Sequence, residues 1–311
     1  MKYYILLLVA FISVNLSFSQ QDPQYTQYMY NTQIVNPAYV GSKETLGVGL
    51  LYRTQWVGFD GAPKTGTLTF NTPIGELKRM GLGFSIVSDK IGPSAETNFV
   101  VDYSYSLVLS EISRLSFGIK AGVDILDVDY NKLNIYDDYD PQFENNVDKK
   151  LQPQIGAGIY YNTDKLYLGL SVPNFLNSEH YNTGSLDDVN VNAVAIERLH
   201  YFFIAGYVFD LSENVKFKPA TMFKAVSGAP LQADVSANFL FNEKFTLGAA
   251  YRWDAAFSGM AGFQINNNMF IGMGYDYQTT DIQAYSNGSY EIFLRFDVFN
   301  KTERILTPRF F

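Results

Sequence analysis

The sequence predicts an all-β protein, a transmembrane antiparallel β-barrel of the outer-membrane type with about 14 strands. The 311 residues are 47% hydrophobic, yet the mean hydropathy is only -0.06, so apolar and polar residues are mixed almost evenly. Charged residues make up 17% of the chain, below the roughly 25% of an ordinary soluble domain. From residue 45 onward, apolar and polar residues alternate with period two in runs of about ten. These features exclude a polytopic helical membrane protein and favour membrane-spanning strands.

Residues 1–19 have the layout of a secretory signal peptide. Lys2 precedes an apolar run over residues 3–16, and Ser17 and Ser19 place small side chains at the -3 and -1 positions of a cleavage site. The alternative is a membrane anchor, but the run is shorter than the ~20 residues that a helix needs to cross a bilayer. The sequence therefore predicts export.

The barrel is predicted over residues 45–299, as strands joined by turns rich in Asn, Asp, Gly, Ser and Pro. In the first strand Leu46, Leu50 and Tyr52 share an apolar face that is expected to meet lipid, and Arg53 lies on the opposite, lumen face. The other apolar faces run over residues 68–70, 80–86, 99–107, 115–125, 155–161, 166–172, 199–209 and 215–223, and the last five are centred on Val235, Leu247, Ala261, Met273 and Leu294. A pair of soluble β-sandwiches would alternate in the same way, so alternation alone leaves both folds open.

Connection lengths favour the barrel over the sandwich. Tight turns are predicted at residues 110–113, 162–165, 212–214, 242–244 and 266–268, whereas residues 127–151 and 174–198 are long excursions. If the first strand runs outward, each of these five tight turns falls on the periplasmic side and both excursions reach the cell surface. Outer-membrane barrels have this segregation of short periplasmic turns and long extracellular loops.

Glycines recur on the predicted lumen face. They are Gly47, Gly49, Gly81, Gly83, Gly118, Gly122, Gly156, Gly158, Gly272 and Gly274. Such glycines either relieve strain where strands coil and bend, or let another segment approach the wall closely. The sequence leaves both interpretations open.

Residues 20–44, which precede the first strand, do not alternate. They contain DPQYTQYMYN at residues 22–31 and NPAYVG at residues 36–41, and RTQWVGFDGAPKT follows at residues 53–65. In these three blocks the chain resembles the PorP/SprF family of the type IX secretion system, and its length and strand rhythm are similar to that family throughout the mature chain. The resemblance implies an outer-membrane β-barrel that is not an enzyme.

The resemblance also implies a partner. Members look like binding or anchoring proteins for a secreted cargo that bears a type B C-terminal sorting domain, and they are often encoded beside that cargo. Founding members belong to the secretion and gliding machinery, with periplasmic lipoproteins and a peptidoglycan-linked subunit as neighbours. Two alternatives stay open: a channel for small hydrophobic solutes, or an integral subunit of the secretion and gliding motor complex.

Tyrosines and amides dominate residues 20–44, which suggests a plug inside the lumen. The plug candidates are Tyr25, Tyr28, Met29, Tyr30, Asn36, Pro37 and Tyr39. Their hydroxyl and amide groups can satisfy polar wall residues, and barrels of this size are commonly filled. The alternative is a periplasmic tail that is ordered only near Asn36 and Pro37. Residues 300–311 are expected to form a periplasmic C-terminal tail.

The partner-binding candidates lie in the predicted extracellular loops. They are Trp56, Phe59 and Asp60 in the first loop, Tyr136, Asp137, Asp138, Tyr139 and Asp140 in the first excursion, and Asp187 and Asp188 in the second. The first loop, residues 56–65, can equally fold over the barrel mouth for structural reasons. The acidic excursions can offer oxygen ligands to calcium, but their spacing matches no EF-hand, so solvated acidic loops are favoured and no metal is assigned.

Composition argues against other functions. The chain has no cysteine and only two histidines, which excludes disulfide scaffolds, thiol nucleophiles and zinc-thiolate sites. No serine lies in a GxSxG motif, so no catalytic residue and no cofactor are assigned. The net charge of -8 argues against nucleic acid as a partner, because phosphate binding needs a basic face.

Overall fold

The computed structural model describes residues 24–43, 45–133, 146–176, 199–226 and 229–298, which form a closed antiparallel β-barrel. Within them a sheet of 15 strand segments is found. The segments His200–Tyr207 and Phe209–Ser212 both pair with Val215–Val226, so they are two halves of one interrupted strand. The barrel therefore has fourteen strands, which confirms the predicted fold class. The strands are β1 (Leu46–Thr54), β2 (Lys64–Ile74), β3 (Met80–Ile91), β4 (Ser94–Val108), β5 (Arg114–Val128), β6 (Val147–Asn162), β7 (Leu166–Val172), β8 (His200–Tyr207 and Phe209–Ser212), β9 (Val215–Val226), β10 (Gln232–Phe241), β11 (Phe245–Arg252), β12 (Ala256–Gln264), β13 (Met269–Gln278) and β14 (Ser289–Val298).

The first and last strands close the barrel. β1 pairs with β14 in a regular register, from Leu46 opposite Val298 to Thr54 opposite Tyr290. β8 is interrupted at Val208, where the facing part of β9 contains Pro219. Proline has no N–H to donate to a strand ladder, which accounts for this local loss of pairing.

The two faces of the barrel are inverted relative to those of a soluble protein. In β1, Leu50 is 46% and Tyr52 54% exposed, whereas Arg53 is 1% exposed. In β5, Ile119 is 62% exposed and its neighbour Lys120 is 4% exposed. An apolar belt of this extent is stable only in a non-aqueous surrounding, which fits the predicted lipid-facing side. Among the described residues, no helix is long and apolar enough to cross a membrane.

The two ends of the barrel differ in the length of their connections, as predicted. The short-turn end has the turns at residues 75–79, 109–113, 163–165, 213–214, 242–244 and 265–268, and the long-loop end has the long connections at residues 129–146 and 173–199. The long-loop end also has short connections, at residues 92–93 and 253–255, so only the long connections are confined to one end. The long-loop end is extracellular by the rule for outer-membrane barrels.

Two predicted loop boundaries were wrong. The first excursion is shorter than residues 127–151, because β5 and β6 continue to pair around a bulge as far as Val128 opposite Val147. The first loop ends before Lys64, because that residue already pairs in β2 with Thr54. In both places the strand continues past the alternating run through polar residues, and the polar composition alone predicted a loop there.

Candidate functional site

Residues 24–43, called the inner segment below, lie inside the barrel. They form two short 3-10 turns, Tyr28–Tyr30 and Pro37–Tyr39, on either side of a one-turn α-helix, Thr32–Val35. All of the plug candidates are sheltered there: Tyr30 is half-buried, and the buried ones are Tyr25, Tyr28, Met29, Asn36, Pro37 and Tyr39.

A buried ion cluster holds the start of the inner segment at the long-loop half of the lumen. Arg53 Nη2 lies 2.6 Å from Asp276 Oδ2, and Arg53 Nη1 lies 3.4 Å from Glu291 Oε2. Both oxygens of the Glu291 carboxylate accept backbone N–H groups, from Thr26 at 2.9 Å and from Gln27 at 2.8 Å. Arg53 also donates to the Thr26 hydroxyl at 2.6 Å. The wall charges are therefore paired with one another and with the inner segment, as buried charges must be.

The middle of the inner segment bonds to the opposite side of the wall. Gln33 Nε2 donates to Asp102 Oδ2 at 3.1 Å, and Lys120 Nζ donates to the Ile34 carbonyl at 2.6 Å. Asn36 Nδ2 donates to the Ile159 carbonyl of β6 at 3.1 Å. These contacts satisfy backbone and side-chain groups that would otherwise be orphaned in the lumen.

The inner segment runs from the long-loop end to the short-turn end. Gln24 Nε2 donates at 2.9 Å to Gln232 Oε1, at the start of β10. At the other end, Lys43 Nζ lies 4.0 Å from Asp297 Oδ1, near the end of β14. The segment therefore passes along the lumen and leaves it just before β1.

Several lumen-face glycines make room for the inner segment. A Cβ at Gly81 would collide with the Val40 carbonyl, and a Cβ at Gly118 would collide with the backbone of Ala38. Other glycines at which an added Cβ would be blocked by the inner segment are Gly83, Gly158, Gly169 and Gly272. Gly122 and Gly156 instead face backbone of neighbouring strands and of the chain after β7. Close approach of the inner segment to the wall therefore explains the glycines at 81, 83, 118, 158, 169 and 272.

The first loop, residues 55–63, lies at the rim of the long-loop end. Trp56 is half-buried, has a φ of 46° and donates its N–H to Ser289 Oγ at 3.1 Å. Phe59 and Asp60 are exposed. The loop also bonds sideways to its neighbours, since Val57 N–H donates to the Gly288 carbonyl. This leaves an aromatic and an acidic side chain on a braced loop that faces outward.

The other partner-binding candidates, Tyr136, Asp137, Asp138, Tyr139, Asp140, Asp187 and Asp188, lie outside the described residues. At the described base of the first excursion, a hydrogen bond from Lys132 lowers the pKa of Asp129 below its ordinary value. Within the described part of the chain, no group of three or more potential metal-ligating side chains is present.

The family described as "Type IX secretion system membrane protein PorP/SprF" matches residues 17–296 of this chain. No curated protein matches this chain. Among solved structures, the chain is similar to the TodX deltaS2S3 mutant monoaromatic hydrocarbon channel, with 10% identity, a TM-score of 0.51, and coverage of 88% of this chain and 94% of that chain. A Pseudomonas aeruginosa FadL homologue has 11% identity and a TM-score of 0.49, with 91% of this chain and 96% of that chain covered. At such identities the likeness concerns the barrel fold alone.

Proposed function

Because this chain belongs to the PorP/SprF family of type IX secretion system membrane proteins, we propose that it binds or anchors a secreted cargo protein at the cell surface. It is an outer-membrane β-barrel, and in this proposal its role is non-enzymatic. The cargo is a protein with a type B C-terminal sorting domain, as the family resemblance implies.

The observation that carries the proposal is the occupied lumen. The inner segment bonds to Glu291 in the long-loop half of the lumen and to Asp297 near the short-turn end. It also bonds to Asp102 and Lys120 on the opposite side of the wall. A lumen filled in this way is poorly suited to solute flow, so we propose that the inner segment is a plug. Function is then expected at the ends of the barrel, and the long-loop end offers the surface that a secreted protein meets.

We propose that Phe59 and Asp60, with Trp56 behind them, form part of that surface. Aromatic side chains supply much of the binding energy at protein interfaces when a partner covers them. The two acidic excursions, which carry the remaining candidates, would extend the same surface.

Deletion of the gene tests the proposal. We expect one large secreted protein with a type B sorting domain to disappear from the surface proteome, while other exported proteins keep their levels. Complementation with the wild-type chain should restore that protein. An unchanged surface proteome in the deletion strain would exclude the anchoring role.

A second candidate is a channel for small hydrophobic solutes, which an apolar cavity beside the inner segment favours. Loss of hydrophobic-solute uptake in the deletion strain, with cargo display intact, would support this candidate instead. A third candidate, an integral subunit of the secretion and gliding motor complex, predicts that periplasmic lipoproteins and the peptidoglycan-linked subunit are retained on a tagged barrel.

A further inference from the structure

A cavity of about 100 Å³ lies above the inner segment in the long-loop half of the lumen. It is called the outer pocket below. Tyr25, Tyr28, Ile34 and Val35 of the inner segment line its base. The cavity is smaller than an engineered apolar cavity of about 150 Å³ that binds benzene, and its size suits one apolar side chain.

Four lumen-facing residues in the wall of the outer pocket are apolar. Val87, Val100, Phe202 and Met222 are buried there, although most lumen-facing positions are polar and only some others, such as Leu51 and Phe293, are apolar. Each of the four is next to an apolar residue that faces lipid, so the sequence reads Ile-Val, Val-Val, Phe-Phe and Met-Phe at these places. Phe202 and Met222 belong to one apolar cluster with Tyr25, Tyr28 and Val35 of the inner segment, so the pocket lies at an apolar seam between the wall and that segment.

Amide side chains surround the apolar wall. The pocket lining includes Gln24, Asn98, Gln154, Asn174 and Gln232, together with the charged Glu96, Lys120 and Lys224. Gln24 donates to Gln232 and Gln154 donates to Asn98, so these four amides bond to one another. Asn174 Nδ2, in contrast, is buried and has no acceptor among the described residues, and an amide N–H of this kind can donate to the carbonyl of a peptide backbone.

We propose that the outer pocket receives an apolar side chain carried on an extended peptide of the secreted partner, with the Asn174 amide bonding to that peptide's backbone. Asn174 Nδ2 is one donor for a backbone carbonyl. The pocket belongs to the half of the lumen that opens toward the loops, so a partner outside the cell can reach it. The inference rests on the proposed function, because the partner is the cargo's sorting domain.

A filling substitution with a matched control tests the pocket. Met222→Trp places a larger side chain in the cavity, and Phe223→Trp makes the neighbouring change on the lipid-facing side of the same strand. The probe is the purified sorting domain of the surface protein that is lost in the deletion strain. Its dissociation constant is measured against purified barrel in detergent, after each variant has been checked for folding by its heat-dependent mobility on a gel.

We expect Met222→Trp to raise the Kd of the sorting domain about 10- to 100-fold, the effect of losing one buried apolar side chain, with Phe223→Trp unchanged. Equal binding by both variants would overturn the pocket assignment and leave the anchoring role standing. If the wild-type barrel itself does not bind the domain, the proposed function fails and the pocket inference fails with it.

Crosslinking keeps the inference testable if Met222→Trp does not fold. A photoreactive phenylalanine at Phe202, inside the pocket, should crosslink the bound sorting domain, and one at Phe203, on the lipid side, should not. A crosslink from neither position would refute the inference. Binding of toluene that Met222→Trp abolishes, with sorting-domain binding intact, would assign the pocket to a small apolar solute instead.

Discussion

Replacement of Gly118 by valine should loosen the inner segment while leaving the barrel closed. Gly118 lies on the lumen face of β5, where a side chain would collide with the backbone of Pro37 and Ala38. Backbone atoms cannot rotate away as a flexible side chain can, so the inner segment itself must move. The wall strand is held by pairing on both sides, from Ile119 to Tyr103 and to Ala157, and has no comparable freedom.

The expected size of the effect follows from the contacts that hold residues 34–40. Four donor groups join this stretch to the wall. Lys120 donates to the Ile34 carbonyl, Ser171 to the Val35 carbonyl and Ser104 to the Val40 carbonyl, and the Asn36 amide donates to the Ile159 carbonyl, with a longer bond to the Leu170 carbonyl. At a net ~1 kcal/mol each, releasing the stretch costs ~4 kcal/mol, so a buried site in it should react about 1000-fold more slowly than an exposed one. Overpacking at Gly118 costs ~1–3 kcal/mol, which should speed that reaction about 5- to 150-fold.

Cysteine labelling measures this release directly, because the chain has no cysteine of its own. Val40→Cys provides a reporter within this stretch, at a side chain that is 1% exposed. Its reaction rate with a water-soluble maleimide is compared in purified barrels that carry Gly118→Val or Gly259→Val. Gly259 is the matched control, since an added Cβ there meets no other atom within 4 Å.

The reasoning is refuted if the reporter reacts at the same rate in the two valine variants. Fast labelling of Val40→Cys without any second substitution would also refute it, because the inner segment would then not be held in the lumen at all.

Three further substitutions test other parts of the account. Arg53→Met should lower the free energy of unfolding by ~3–5 kcal/mol, because two carboxylates stay buried without their cation. Lys165→Met breaks an exposed ion pair and should leave the free energy of unfolding almost unchanged; urea titration of the folded barrel measures both, and equal losses would contradict the assigned ion cluster. Asn36→Ala should cost ~1–3 kcal/mol in the same titration through its lost hydrogen bonds, and an unchanged midpoint would contradict that role. Phe59→Ala should reduce capture of the sorting domain, while Leu77→Ala, which truncates an even more exposed apolar side chain at the short-turn end, should not; identical capture would remove the first loop from the binding surface.

The barrel could be predicted from the sequence because its rule is local. Tyr52 and Arg53 are neighbours in the chain, and alternation alone places the first toward lipid and the second toward the lumen. The same rule failed between residues 127 and 151, because the polar residues Asp127, Asp148, Lys149 and Lys150 lie in β5 and β6 and not in the loop. A polar run therefore does not mark the end of a strand.

The contacts of the inner segment could not be predicted in the same way. Thr26 bonds to Glu291 across 265 positions of the chain, and no periodicity links an irregular segment to a wall residue so far away. The charged lumen-face residues Arg53, Asp276 and Glu291 gave a partial signal, because charges on that face need partners. The lumen-face glycines gave another, although sequence alone could not separate close approach from strand bending.

Purification of the tagged protein from detergent-solubilised outer membrane, followed by mass spectrometry, tests the central claim most directly. The account predicts that one secreted protein with a type B sorting domain co-purifies in an amount comparable to the barrel, and that Phe59→Ala reduces its recovery. A barrel that purifies alone, or only with periplasmic secretion components, would contradict the account.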